Sequence, residues 1–150
     1  AFVVGEHGQN SIPLLSNISV GGAPIMNLID SRNHHHVTTQ KETLHKLHRD
    51  IATASDQVSK LKGQTSFATA CSVVSLARSV LCDQRRLHPV SLLSNGFYGI
   101  GRDDVFLSLP ALLGKNGIVG VPELDLSHEE LARLRDTARD LYREQAHLGI

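Results

Sequence analysis

The sequence predicts an α+β fold with antiparallel sheets packed against long helices. Three observations carry this. Short apolar strands bracket a glycine-flanked histidine at the start of the chain. Two long helical patterns then follow one another without an intervening strand. The strand signals after them come in a cluster, so strands and helices are mixed rather than strictly alternating. At 150 residues the chain is long enough for one domain with a real core and short for two.

Residues 2–4 and roughly 16–20 read as strands on either side of a loop, and Gly21-Gly22-Ala23-Pro24 breaks the pattern. Residues 28–41 are polar, and Asn33-His34-His35-His36 is the stretch expected to move most. Leu44, Leu47, Ile51, Ala54, Val58 and Leu61 recur at steps of three and four, which predicts an amphipathic helix ended by Gly63. A second helix is predicted from Ser66 to about Cys82. Arg78 is its only charge, so it is expected to be mostly buried. Asp83-Gln84-Arg85-Arg86 closes it, and the two arginines suit its C-terminal dipole.

Leu87–Leu93 is strand-like, with Asn95-Gly96 and Phe97-Tyr98-Gly99-Ile100-Gly101 as turns after it. Val105–Leu109 is another strand, which Pro110 is expected to end or confine to an edge. Asn116-Gly117 predicts a hairpin turn into Ile118-Val119. Ser127-x-x-Glu130 is a capping box, and Leu131, Leu134, Ala138, Leu141 and Tyr142 form the inward face of a last helix.

Charge is balanced at 15 basic and 15 acidic side chains, which offers no electrostatic footprint for nucleic acid or an acidic membrane. There is no apolar run of membrane-spanning length and no signal-peptide pattern. Cys71 and Cys82 lie about three turns apart on one predicted helix, too far to bridge. They are expected to be free, buried thiols suited to a reducing cytoplasm.

The chemistry-bearing feature is Gly5-Glu6-His7-Gly8, reached from Ala1-Phe2-Val3-Val4. A strand that ends in glycine and turns into a histidine puts an imidazole at the mouth of a sheet. Small neighbours there let a substrate approach the backbone. Imidazole both donates and accepts a proton near neutrality, so His7 is the candidate general acid and base. Glu6 is a poor candidate for orienting that ring, because adjacent side chains on extended backbone point apart. Such a loop, with no scaffold before it, makes the chain read as the back half of something larger.

Five ordered segments give the chain a family likeness. They are Gly5-Glu6-His7-Gly8 with Ser11-Ile12-Pro13; Lys60-Leu61-Lys62-Gly63-Gln64-Thr65-Ser66; Arg85-Arg86-Leu87-His88-Pro89-Val90-Ser91 with Phe97-Tyr98-Gly99-Ile100; Val105-Phe106-Leu107-Ser108-Leu109-Pro110; and Leu113-Gly114-Lys115-Asn116-Gly117-Ile118. In order and spacing they resemble the carboxyl-terminal catalytic domain of the L-lactate dehydrogenases, within the lactate/malate dehydrogenase family. The resemblance covers nearly the whole chain.

It implies that residues 1–150 are the substrate and catalytic half of an NAD-dependent enzyme interconverting pyruvate and L-lactate, cytoplasmic and tetrameric. His7 would be the proton donor and acceptor, and Thr65 a wall of the substrate pocket. Thr69 would stand against the nicotinamide ring. The nucleotide domain, the clamp arginine and the orienting aspartate would all lie outside this chain. Thr65 also suits a helix N-cap. Gln9-Asn10, Phe67 and the polar Thr69 depart from the family pattern, and Thr69 would loosen dry packing beside the cofactor. A malate dehydrogenase is the neighbouring reading, against which the Gly-Glu-His-Gly form and Thr65 favour lactate. A non-catalytic interaction module on the same fold is the alternative of another class.

The remaining signals are read as structural. His34, His35, His36, His45 and His48 are a solvated loop and helix face, without the carboxylates or thiolates of a metal site nearby. His88 belongs to a strand. Gly99-x-Gly101 is a turn, lacking the third glycine and the helix of a nucleotide fingerprint.

Overall fold

A computed structural model describes residues 2–8, 10–24, 37–101 and 104–148. Side chains are described from residue 42 onward in the first helix. The stretch Asn33–His36, expected to move, lies outside the described residues.

The elements run β1 (Val3–Val4), β2 (Ile12–Pro13), β3 (Ser19–Val20), β4 (Ala23–Pro24), α1 (Val37–Lys62), α2 (Ser66–Leu81), β5 (Arg86–Leu93), β6 (Phe106–Gly114), β7 (Gly117–Gly120) and α3 (His128–Gln145), with a final 3-10 turn at Ala146–Leu148. All strand pairings are antiparallel: β1 with β2, β3 with β4, and a three-stranded sheet in the order β5-β6-β7. The predicted strand over 16–20 is shorter than expected. Gly21-Gly22, both at positive φ, form the tight turn that folds Ser19–Val20 back on Ala23–Pro24.

β6 is the spine. Leu107, Leu109, Ala111 and Leu113 alternate onto one face and are buried. They meet Val4, Ile12 and Leu14 from the first hairpin, Leu92, Ile100 and Val105 around β5, and Leu134 and Ala138 from α3. Pro110 does not end this strand or lie on an edge, contrary to expectation. Ser108 turns its N–H and C=O toward Gly5, so by alternation Pro110 turns away from β5 as well. Its register partner is Pro89, also a residue whose N–H would point out of the pair. The two prolines therefore share a position where the β5–β6 ladder needs no hydrogen bond. On the other side of β6, the Gln145 side chain bonds both N–H and C=O of Phe106, and Gly120 pairs with Leu112. The hairpin turn is Lys115-Asn116, one residue earlier than predicted, between Gly114 and Gly117.

α2 corrects a second expectation. It is apolar, yet Ser79 is its only buried residue, while Leu76 and Val80 are partly covered by the core. Phe67 is 73% exposed and Leu81 83%, with Val73 and Val74 also open. Low charge predicted burial, but only one edge of the helix reaches β6. Cys71 and Cys82 are free, as expected, but both are exposed rather than buried, because they ride on this open helix. Toward its end, α1 is similar: Leu61 is 88% exposed. The end of α2 is closed by backbone donors rather than by arginine side chains. Cys82, Asp83 and Gln84 donate to the carbonyls of Arg78, Val80 and Ser79. Arg85 lies 3.7 Å from Asp83, and Arg86 opens β5. His88 is structural, as read. It is buried and meets the Ser79 hydroxyl at 2.7 Å, tying β5 to α2.

The capping box of α3 is present as predicted. Leu134 and Ala138 are buried, Leu131 and Leu141 half-buried, and Tyr142 is exposed. Glu130 does more than cap. Its carboxylate accepts from the backbone N–H and hydroxyl of Ser16 as well as the N–H of Ser127, so it fastens the chain after β2 to α3. Burial alone would raise its pKa. The hydrogen bonds from Ser16 and Ser127 outweigh that and hold it below the usual carboxylate value. A depressed folded-state pKa means stability that is present above the unfolded value and lost as pH falls through the folded one. Glu130→Gln should therefore cost about 1–2 kcal/mol near neutrality. In urea unfolding the gap from the parent should close below about pH 4; a gap independent of pH would refute this account.

Candidate active site

The histidine loop hangs on two backbone bonds. Gly5 donates to the Ser108 carbonyl at 2.8 Å, and Ser108 donates back to Gly5 at 2.9 Å. This pair ends β1 on the spine strand and launches residues 6–11 outward. Gly5 sits at φ +85°, where a side chain is strained, and an added Cβ would meet Ile12 at 3.3 Å and Thr137 at 3.6 Å. The loop closes with Ser11 N–H donating to the Gly8 carbonyl at 3.1 Å. A glycine is therefore required where the sequence reading placed a strand-ending glycine.

His7 is exposed at the tip, beside a cleft of about 550 Å³. The floor is Val3, Val4, Pro89 and Ser108; the wall is one face of α1, namely Ile51, Ala52, Ser55 and Asp56. Among the described residues, no side chain hydrogen-bonds the imidazole. Glu6 also lines the cleft, but its carboxylate accepts from Asn10 at 3.1 Å and not from the ring. Among the described residues both ring nitrogens of His7 are thus open to a ligand.

Asp56 and Ser55 are the lining groups that sequence reasoning missed. Their signal was available: Ile51, Ala52, Ser55 and Asp56 repeat at helical spacing and so share one face of α1. Nothing in the spacing said that this face would meet the histidine loop.

Thr65 and Thr69 are not among the cleft's lining residues. Thr65 is half-buried at the N-cap position of α2. Its hydroxyl makes no capping bond, which corrects that part of the expectation; its backbone φ of −111° and ψ of 21° is not the extended geometry of an N-cap. Its carbonyl instead accepts from the Thr69 N–H and hydroxyl, both at 3.3 Å. Thr69 is exposed one turn along. Both threonines therefore belong to the start of the open helix. The Lys62 ammonium lies over the Phe67 ring there, 4.4 Å from its centre.

Residues 1–147 match the alpha/beta C-terminal domain of the lactate/malate dehydrogenases. The chain belongs to that family. It is 46% identical over 152 aligned residues to L-lactate dehydrogenase B of Hordeum vulgare, covering 100% of this chain and 43% of that protein. It is 48% identical to L-lactate dehydrogenase A of the same plant, covering 95% of this chain and 39% of that one. A human relative, L-lactate dehydrogenase A-like 6B, is 36% identical over 99% of this chain and 38% of its own length. The fold superposes with a TM-score of 0.86 on MGS-M5, a lactate dehydrogenase from a deep-sea metagenome library of the Medee basin. Sequence identity there is 26%, over 99% of this chain and 46% of that one. The chain thus spans less than half the length of each of these relatives. The α+β reading with small antiparallel sheets and long helices is the fold of this domain.

The loop anchor gives a direct test. Gly5→Ala should destabilise the chain by about 1 kcal/mol or more, through its positive φ and the crowding at Ile12. Urea unfolding measures this. Unchanged stability would mean that the loop's backbone is free to relax, and that the Gly5–Ser108 pair does not fix it.

Proposed function

We propose that this chain is the catalytic, carboxyl-terminal half of an L-lactate dehydrogenase, with His7 as the group that exchanges a proton with the substrate oxygen. The observation that carries the reading is an exposed imidazole, without a side-chain partner among the described residues, on a backbone-anchored loop that lines a cleft of substrate size. The names of the relatives support the substrate pair, pyruvate and L-lactate.

His7 does the proton half of the reaction. With its ring protonated it donates to the carbonyl oxygen of pyruvate as negative charge develops there. In the reverse direction the neutral ring accepts the hydroxyl proton of lactate. The loop supplies position: Gly5 on Ser108 and Ser11 on Gly8 hold the backbone on both sides of His7 beside the cleft. Asp56, across the cleft on α1, adds a negative charge that disfavours a substrate carboxylate on that wall. Thr65 takes the role of a pocket wall and Thr69 that of a residue near the cofactor ring. Both readings rest on the family resemblance.

The family's hydride donor is NAD. Among the described residues every strand pairing is antiparallel, and the turn before Gly101 is held by Arg135 on the Tyr98 carbonyl at 3.0 Å, which supports reading the dinucleotide site as lying outside this chain. This chain is therefore assigned no cofactor phosphate contact and no hydride step. The exposed apolar face of α2, with Thr69 and Phe67 on it, is the surface we assign to contact with the rest of the enzyme. A cytoplasmic tetramer follows from the family resemblance.

The test uses the full-length protein. His7→Asn should lower kcat for pyruvate reduction by about 10²–10⁴-fold, with NADH affinity unchanged. Retained activity would remove His7 from the mechanism and with it the catalytic reading of the loop.

A further inference from the structure

A second cavity, of about 510 Å³, shares only Ala52 with the His7 cleft. It is lined by Glu42, His45, His48, Arg49 and Ala52 of α1 and by Arg133 of α3. Two guanidinium groups and two imidazoles thus face one carboxylate. His45, His48 and Arg49 follow one another at helical spacing, so the clustering is a face of α1 and not a chance of one side chain.

Arg133 is held in an unusual way. Its Nη1 lies 3.1 Å from Nδ1 of His48. Arginine only donates, so this contact is a hydrogen bond when Nδ1 carries no proton and the ring's hydrogen is on Nε2. Nε2 lies 3.4 Å from the Ser11 carbonyl. An arginine resting on a neutral ring keeps its full charge. Of the carboxylates nearby, Asp136 pairs with Arg139, Asp140 with Arg143 at 3.4 Å, Glu130 with Ser16 and Ser127, and Glu6 with Asn10, while Glu42 lines the cavity itself. Among the described residues neither Arg49 nor Arg133 forms an ion pair.

We propose that this cavity binds a small multivalent oxyanion of the sulfate and phosphate class, and that, at constant anion charge, binding tightens as pH falls. The guanidinium groups of Arg49 and Arg133 approach from two helices, which suits an anion with several oxygens. Protonation of His48 ends its bond with Arg133 and turns Nδ1 into a donor, so both groups are released toward the anion. By linkage, a ligand that prefers the protonated ring is bound more tightly when the ring is protonated. The charged groups facing His48 are Glu42, His45 and Arg49 on its own helix, Glu6 from the histidine loop, and Glu129, Glu130, Arg133, Asp136 and Asp140 on α3. Carboxylates and arginines as classes titrate outside the neutral window, and so does a sulfate-type dianion, so for an anion of constant charge the two histidines set the sign.

The experiment is equilibrium dialysis of the full-length protein, saturated with NADH, against radiolabelled sulfate, whose charge is constant over the range, at fixed ionic strength, near pH 6 and near pH 8. The expected result is one saturable class of sites that is weakened about tenfold or more by Arg49→Gln and by Arg133→Gln, each a lost charge-assisted contact. Binding should be several-fold tighter at the lower pH in the parent, and that difference should shrink in His48→Gln. Circular dichroism reports folding, and Arg49 is exposed, so its replacement leaves the core intact. His7→Asn should change nothing here, which separates this site from the catalytic reading. Absence of saturable binding overturns the proposal. So does binding that survives both arginine changes, or affinity that does not rise toward pH 6.

Discussion

The reciprocal pair of backbone bonds between Gly5 and Ser108 is the constraint from which the site follows. β1 is only two residues long and could not hold a register by itself. Docked on β6, it inherits the position of the strand that supplies Leu107, Leu109, Ala111 and Leu113 to the core, and the loop that follows starts from a fixed point. The cost is conformational: Gly5 must take a left-handed backbone, and no residue with a side chain does so without strain. The reward is a histidine that is exposed and still located.

β6 can act as this anchor because each side of it is satisfied differently. β5 pairs along its length. On the other side Gln145, Gly5 and Gly120 take successive alternate positions, and Pro110 fills the one that has no donor to satisfy. Phe106, Ser108 and Leu112 thus find partners from three parts of the chain. This ties the C-terminal helix, the histidine loop and the last hairpin to a single strand. Glu130 adds a polar clasp between the first hairpin and α3, and the Ser79–His88 pair a second one between α2 and β5.

α1 and α2 are attached more lightly than the sheet and α3. Their apolar residues exceed the surface that this chain offers them: Leu61, Phe67, Val73, Val74 and Leu81 remain open to solvent. A monomeric domain rarely leaves so large an apolar stripe uncovered, and such stripes mark contact surfaces. The polar face of α1 is used instead on both flanks of Ala52, by the His7 cleft on one and the His48–Arg133 cluster on the other.

By itself the sequence determined what depends on local chemistry. The steps of three and four in α1, the Ser127–Glu130 box and the glycines at Gly5, Gly21 and Gly22 act within a few residues, and the structure carries them as written. The family likeness was legible for the same reason, since five ordered motifs are a property of the string. Tertiary structure decided what depends on distant partners. A low charge count says that a helix is able to be buried, but not that a partner surface exists, so α2 and its two cysteines lie exposed. Pro110 was judged by its missing N–H, and only the register showed that no bond was needed there. Thr65 was apart from the His7 cleft and Asp56 beside it for a reason that no spacing contains: which face of α1 meets the loop is set by the packing of both on the first hairpin and β6.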